Sequence, residues 1–358
     1  MVKKQSEIVL QDEQVFVGLE DSKKTWCLCV RSEGRVVNEI SIPAHYENLQ
    51  HYFQNKFPGC KITVMYEAGF SGFGLHDQLV SDGWECIVTP PHTVTEEKCQ
   101  SKKNDRVDCR RLAKNLENND YHVCFVPDKE LREDRQISRT YGQVQADIKR
   151  VCNRIRRMLE YHGLDKDLPA GRWTPAMYIR VKFHLDELGI SASLRVSFQI
   201  MLRELEQLRE LKKELLKQLH RLARSDRYKG DVELLQSAPG IGILTAIRLA
   251  LEWGNVSRFE RKEDFASFLG LTPSDYSSGE QERQGHITKQ GNRSVRSWLV
   301  ECSWVAIRKD PALNEKYRRV LRNCGQKKKA IVAVARKLAM RLRRVLLNRE
   351  PYALGVIE

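Results

Sequence analysis

Four acids in this sequence have the types and spacing to do chemistry together. Glu20 closes a first apolar run, Glu67 closes a later one, and Asp105 and Asp108 fall three apart in Lys103-Asn104-Asp105-Arg106-Val107-Asp108. On a helix, residues i and i+3 share a face, so the last two can aim at one point. Three or four carboxylates can hold two hard cations, an arrangement suited to phosphodiester cleavage because attacking and leaving oxygens are both neutralised. Each acid alone reads as a surface carboxylate. The ordered set has the layout of a metal-dependent nuclease.

Three further segments could handle phosphate. Ala238-Pro239-Gly240-Ile241-Gly242 lies between two apolar helical stretches, as the turn of a helix-hairpin-helix unit does. Gly240 and Gly242 would let backbone N–H groups at the next helix start approach a DNA phosphate. The stretch 270–292 is rich in Gly and Ser; Lys289 within it and Arg293 and Arg296 just after it are cations able to hold phosphate. A serine in such a loop is ordinarily a turn residue, and an activated one needs a base or a metal; His286 and Lys289 are the local bases. Finally, Lys327, Lys328, Lys329, Arg336, Lys337, Arg341, Arg343 and Arg344 form a run of eight cations with no acid between 327 and 344. Ile331, Val334, Leu338, Leu342 and Val345 recur there at helical spacing, which predicts one packed face and one strongly basic face.

These groups must be carried by more than one domain, since 358 residues exceed one ordinary core. The chain reads as multidomain α/β plus α, with regions 1–130, 131–230 and 231–358. In the first, Val15–Leu19, Thr25–Val30 and Arg35–Ile42 make a three-stranded meander. A helix near 45–56, a strand at Lys61–Tyr66, a helix near 71–82 and a strand at Trp84–Val88 follow, the element order of a ribonuclease-H-like domain. The second is helical: Phe198, Met201, Leu205, Leu208, Leu215, Leu219 and Leu222 follow coiled-coil spacing, broken at Lys212. That seam suits a coiled-coil hairpin, a dimer contact or an ordinary bundle helix. Lys and Arg total 61 against 47 Asp and Glu, a net charge of +14 that points to a polyanionic partner, most simply nucleic acid. With 30% charged and 41% apolar residues the chain is neither disordered nor a membrane protein. Its scattered cysteines lack zinc-ligand spacing and predict reduced thiols in a cytoplasmic protein.

Taken in order, the motifs resemble the DEDD-type insertion-sequence transposases, the bridge-RNA-guided recombinases that include the pilin-gene invertases. Gly18-Leu19-Glu20-Asp21-Ser22-Lys23 is similar to the family's opening Gly-Ile-Asp-Val-Ser-Lys, and Glu67-Ala68-Gly69 to its Glu-Ala-Thr-Gly. Lys103 to Cys109 with Leu112-Ala113 is similar to its Lys-Thr-Asp-x-x-Asp-Ala helix. The Pro-Gly-Ile-Gly hairpin, the Gly270-Leu271-Thr272-Pro273 loop and Ile287-Thr288-Lys289 with Gly291-Asn292 resemble its C-terminal transposase domain. One position departs: the family's first acid is Asp, and Glu20 stands here with Asp21 beside it. Adjacent strand residues face opposite ways, which selects Glu20 and keeps Asp21 in reserve.

The resemblance implies a RuvC-like ribonuclease-H fold binding Mg²⁺, or Mn²⁺, through Glu20, Glu67, Asp105 and Asp108. It implies a coiled-coil insertion joining protomers into a dimer or tetramer, and a mainly α C-terminal transposase domain with a serine nucleophile. Counting back from Gly285 by the family's spacing selects Ser277, with Ser278 second and Ser274 third. It further implies a structured non-coding guide RNA that pairs with target and donor DNA, so that sequence choice belongs largely to the RNA. The rival readings are a junction resolvase using water on the same carboxylates, a non-catalytic RNA/DNA-binding protein, and a heptad scaffold.

Overall fold

A computed structural model of the chain describes residues 10, 12–69, 71–91, 104–166, 174–187, 189–275 and 284–355. The chain divides into two units, Met1–Pro127 and Asp128–Glu358. Alternating β-branched and aromatic residues build the sheet of the first. Its strands are β1 (Gln14–Glu20), β2 (Thr25–Ser32), β3 (Arg35–Pro43), β4 (Lys61–Glu67) and β5 (Glu85–Thr89). They lie in the order β3-β2-β1-β4-β5. The first three are antiparallel, turned at Glu33-Gly34 where both residues have positive φ, while β4 runs parallel to β1 and β5 parallel to β4. This is the order and polarity of a ribonuclease-H-like sheet, matching the meander and the helix–strand–helix–strand series expected from sequence.

Strand parity decides what each residue meets. Val15, Val17 and Leu19 of β1 and Ile62, Val64 and Tyr66 of β4 share one core with Leu49 and Phe53 of α1 (Tyr46–Lys56) and Leu75 and Leu79 of α2 (Gly74–Ser81). The other parity faces α3 (Asp105–Glu117), whose Cys109, Leu112, Ala113 and Leu116 are buried against Cys27, Cys29 and Met65. Gly18 is the point of closest approach: a Cβ there would overlap the Cys109 carbonyl oxygen and the Ala113 backbone nitrogen. Two ion pairs latch α3 in place. Arg31 Nε meets Glu117 Oε2 at 2.6 Å, and Arg110 makes a bidentate pair with Glu39.

The second unit is helical. α4 (Lys129–Tyr161) and α6 (Ala192–Ala223) pair antiparallel, the far end joined by Arg154 to Glu204 at 2.7 Å and capped by α5 (Pro175–Glu187). The α6 seam is used within the chain: Phe198, Leu205 and Leu219 are buried, and Met201, Leu208, Leu215 and Leu222 partly so. At the break, Lys212 lies 5.8 Å from the Tyr141 ring centroid of α4. A larger core then gathers α7 (Lys229–Gln236), α8 (Ile243–Trp253), α9 (Lys262–Phe268), α10 (Arg293–Lys309), α11 (Pro311–Cys324) and α12 (Lys327–Asn348). A two-stranded ribbon, β6 (Pro273–Asp275) and β7 (Gln284–Ile287), lies between α9 and α10. No described helix is long and apolar enough to cross a membrane.

Candidate active site

Three backbone positions bring the acids together. The β1–β4 register, with Gly18 opposite Met65 and Leu19 opposite Tyr66, sets Glu20 and Glu67 side by side at neighbouring strand ends. By parity both belong to the face that α3 covers. Asp105 is the first residue of α3 and Asp108 lies in its first turn, where Asn104 caps the helix by accepting from the Arg106 N–H. An acid there is favoured by the helix dipole. Seating α3 on Gly18 therefore delivers Asp108, itself buried, to the strand-end acids.

Burial and the neighbouring charges act on Glu20 in the same direction. Burial first, then the charges of Asp108, Glu67, Asp21 and Asp105, push the Glu20 carboxyl up to about 7. Asp21 lies just beyond β1, so the strand alternation that would turn it away no longer applies. Its Oδ2 is buried with no hydrogen-bond partner, and its Oδ1 lies 3.4 Å from where a Gly69 Cβ would stand. Arg111, which no motif in the sequence singles out, puts a single Nη2 3.1 Å from Glu67 Oε1 and 3.2 Å from Asp108 Oδ1. Among the described residues no three His, Cys, Asp or Glu side chains converge tightly enough to form a finished ion cage. The donor chemistry nevertheless fits a hard divalent cation: every donor is a carboxylate oxygen, one of them buried and unpartnered. The position between Glu67 and Asp108 is held by Arg111.

Ser277 and Ser278 lie outside the described residues, as does the side chain of Ser274. The base of their loop is tightly built. Gly270 and Gly291, both at positive φ, pack so closely that added Cβ atoms would overlap the Gln290 and Phe268 carbonyl oxygens. Arg296 Nη1 donates to Gly291 O at 3.0 Å and to Leu269 O at 3.3 Å, so this guanidinium clamps the loop base. Lys289, at positive φ, and Arg293 are exposed beside it. In the hairpin between α7 and α8, Gly240 is spent on packing: its Cα side abuts the Cys302 carbonyl of α10, while Gly242 at the α8 N-terminus faces open space.

The basic helix needs one correction. Ile331, Val334, Leu338, Leu342 and Val345 are buried as their spacing predicts, but the eight cations do not form one solvated face. Arg341 is buried, its Nη1 2.7 Å from Asp310 Oδ2 and 2.8 Å from the Tyr352 hydroxyl. Arg343 is half-buried and donates to the carbonyls of Phe259 and Glu260. Lys327, Lys328 and Lys329 are exposed in the first turn of α12. Arg336 and Lys337 crowd Lys316 and Arg319 of α11: burial first, then these three charges, lower the Lys316 pKa. Lys316 and Arg319 escape a reading of the sequence because two cations in a mixed-charge helix carry no signal until that helix is paired.

Comparison with known proteins agrees with this architecture. A family model for a DEDD transposase of IS110 type matches residues 17–163, spanning the acid set and all of α4. A second, described as the transposase IS116/IS110/IS902 family, matches residues 232–318, from α7 into α11. The transposase for insertion sequence element IS1111A of Coxiella burnetii is 24% identical, covering 80% of this chain and 75% of its own. That for element IS1533 of Leptospira borgpetersenii is 24% identical over 94% of this chain and 97% of its own. The protein y4qE of Sinorhizobium fredii, also named for a transposase, is 26% identical over 81% of this chain and 71% of its own. With both family models matched in order along the chain, the chain belongs to the IS110 family of transposases.

Proposed function

We propose that this transposase cuts and rejoins element and target DNA through a covalent serine–DNA intermediate, using a divalent cation held by its carboxylates and a guide RNA to choose sites. The observation that supports it best is the acid set: Glu20 and Glu67 at neighbouring strand ends with Asp108 in the first turn of α3 beside them, and Asp105 exposed at the start of that helix, on a ribonuclease-H-like sheet. Mg²⁺ or Mn²⁺ bound there would neutralise charge developing on the scissile phosphate. Glu20 and Glu67 would ligate from the strand ends and Asp105 and Asp108 from the helix, with Asp21 able to replace Glu20.

Ser277, with Ser278 as the alternative, is the nucleophile in this reading. Its Oγ–P bond forms as the bond from phosphorus to a DNA oxygen breaks; the serine proton is lost and the departing oxygen leaves as a DNA hydroxyl. A hydroxyl of the other DNA then attacks the phosphoserine ester and releases the serine. Each step exchanges one phosphodiester for another, so no energy source is needed. Lys289, Arg293 and Arg296 would lie against phosphates near the serine, and Gly242 at a helix N-terminus would let another approach. The three lysines opening α12 break the rule that cations are unfavourable at a helix N-terminus, and Gln326 offers no side-chain cap. Such a violation is expected where a site is built for an anion. Arg336 and Lys337, with Lys316 and Arg319, extend that surface. The guide RNA, the joining of protomers and the RuvC-like assignment rest on the family resemblance.

The test is a denaturing gel for protein–DNA adduct, using protein with its co-purified RNA, Mg²⁺ and element-junction DNA. Adduct lost only in Ser277→Ala supports the reading and identifies the nucleophile; loss only in Ser278→Ala moves it by one residue. Cleavage without adduct in wild type and both variants would instead establish water as the nucleophile, as in a resolvase.

A further inference from the structure

The guanidinium of Arg111 is placed unlike an ordinary surface cation. A single nitrogen, Nη2, bridges Glu67 Oε1 and Asp108 Oδ1, at 3.1 and 3.2 Å, one acid from a strand end and one from a helix. A divalent cation held by these carboxylates would compete with Arg111 for the same two oxygens. Arg111 Nε is buried without a hydrogen-bond partner, so the guanidinium is incompletely satisfied in this pose. The side chain keeps 22% exposure, which leaves it a path to solvent. The helix that carries it is fixed by Arg31–Glu117 and Arg110–Glu39 and by its contact with Gly18, so the side chain can leave without the backbone moving.

We propose that Arg111 is a built-in counter-cation that holds Glu67 and Asp108 together before a metal arrives and must be displaced for a divalent ion to enter. This rests on the reading of the acids as a metal site. Without some cation, the crowded carboxylates repel one another and the strand-end acids would splay. With Arg111 present they stay gathered, but an incoming ion must outcompete a charge already tethered at the site. Arg111 therefore sets a threshold: it stabilises the metal-free state and weakens apparent metal affinity, so occupancy follows only when the ion, or the ion with DNA phosphate, offers more than one arginine does. The mechanism is competition for two carboxylates, and no other group is needed to operate it.

The two effects have opposite signs, which separates this role from a purely structural one. A structural arginine, once removed, would disorder the acids and lower metal affinity. A competitor, once removed, should raise it. The experiment is calorimetric titration of Mn²⁺ into the metal-free full chain, with thermal melts in chelator, for wild type, Arg111→Gln, Arg111→Lys, Glu67→Gln and Asp108→Asn. Arg111→Gln is expected to melt lower in chelator, bind Mn²⁺ about fivefold to tenfold more tightly, and gain more in melting temperature on adding the ion. Arg111→Lys, which keeps a charge but loses the forked reach, should fall between it and wild type. Unchanged or weaker Mn²⁺ binding in Arg111→Gln, with binding still lost in Glu67→Gln, overturns the proposal and leaves the metal site standing. Mn²⁺ binding indifferent to both Glu67→Gln and Asp108→Asn overturns the metal reading, and the proposal with it. Should Arg111→Gln show no cooperative melt, Arg111→Lys decides: binding no tighter than wild type overturns the proposal.

Discussion

Single residues determine whether this site exists at all. Gly18 is the clearest case, because α3 reaches the strand-end acids only by resting on a position without a side chain. Gly18→Ala forces a methyl against backbone, which cannot rotate away. We expect a loss of about 2–3 kcal/mol, read as a lower urea midpoint with an unchanged slope, and loss of DNA cleavage beyond what the stability change explains. Asp310 is the equivalent in the second unit. Burial alone would raise its pKa, but hydrogen bonds from Tyr352 and the Leu313 and Gly355 N–H groups, with the charge of Arg341, bring it below its ordinary value of 3.8. Its contribution to stability is therefore full above that value and is lost as pH falls through the lower, folded-state pKa. Asp310→Asn should be less stable at neutral pH, by about 3 kcal/mol, because the buried Arg341 loses its carboxylate. In acid titrations below about pH 4 it should lose less further stability than wild type. Neither residue announces itself in sequence. Gly18 stands there only as one letter of a motif, and Asp310 carries no signal at all, because a sequence shows a charge but not whether it is buried.

At the scale of elements, much of the site is legible in the sequence. Glu20 and Glu67 each close an apolar run, which marks them as strand-end acids, and the three-residue spacing of Asp105 and Asp108 puts both on one side of a helix. That the two strand-end acids share a face is not legible, because Phe16 and Met65 are as apolar as their neighbours. The partner of each face is not legible. Arg341 reads as one of the solvated cations because its 31-residue separation from Asp310 is invisible without a fold. Asp21 is turned away by a strand rule that stops applying one residue earlier, at Glu20. The α6 seam is apolar as its spacing implies, and its occupant in the described residues is α4 of the same chain. Leu205→Ala, fully buried between those helices, should cost about 2–5 kcal/mol. The opening of α12 should behave the other way. Replacing Lys327, Lys328 and Lys329 with Gln removes cations from a helix N-terminus, so thermal stability should hold or rise slightly while nucleic-acid affinity falls.

For the molecule as a whole, a net charge of +14 makes phosphate contact the main source of nucleic-acid affinity, and so the salt dependence is the observable that counts contacts. The triple Lys→Gln variant should weaken binding similarly for all duplex sequences and flatten the plot of log affinity against log salt by roughly 2–3 in slope. If site choice belongs to RNA, stripping RNA from the purified protein should abolish preference between element and random DNA while leaving this salt-dependent binding intact.

The hydroxyl of Tyr352, 2.6 Å from Asp310 Oδ2, has a consequence for how copies of the gene can fail. A premature stop codon shortly before position 352 would spare every acid, the serine loop and the basic helix, yet strip the cover from a buried arginine and its aspartate. Such a product would keep the four acids on the first unit beside a second unit that no longer holds its shape. The same lock instructs anyone fusing a tag or a second enzyme to this transposase: the joint belongs after the tyrosine, never in place of it.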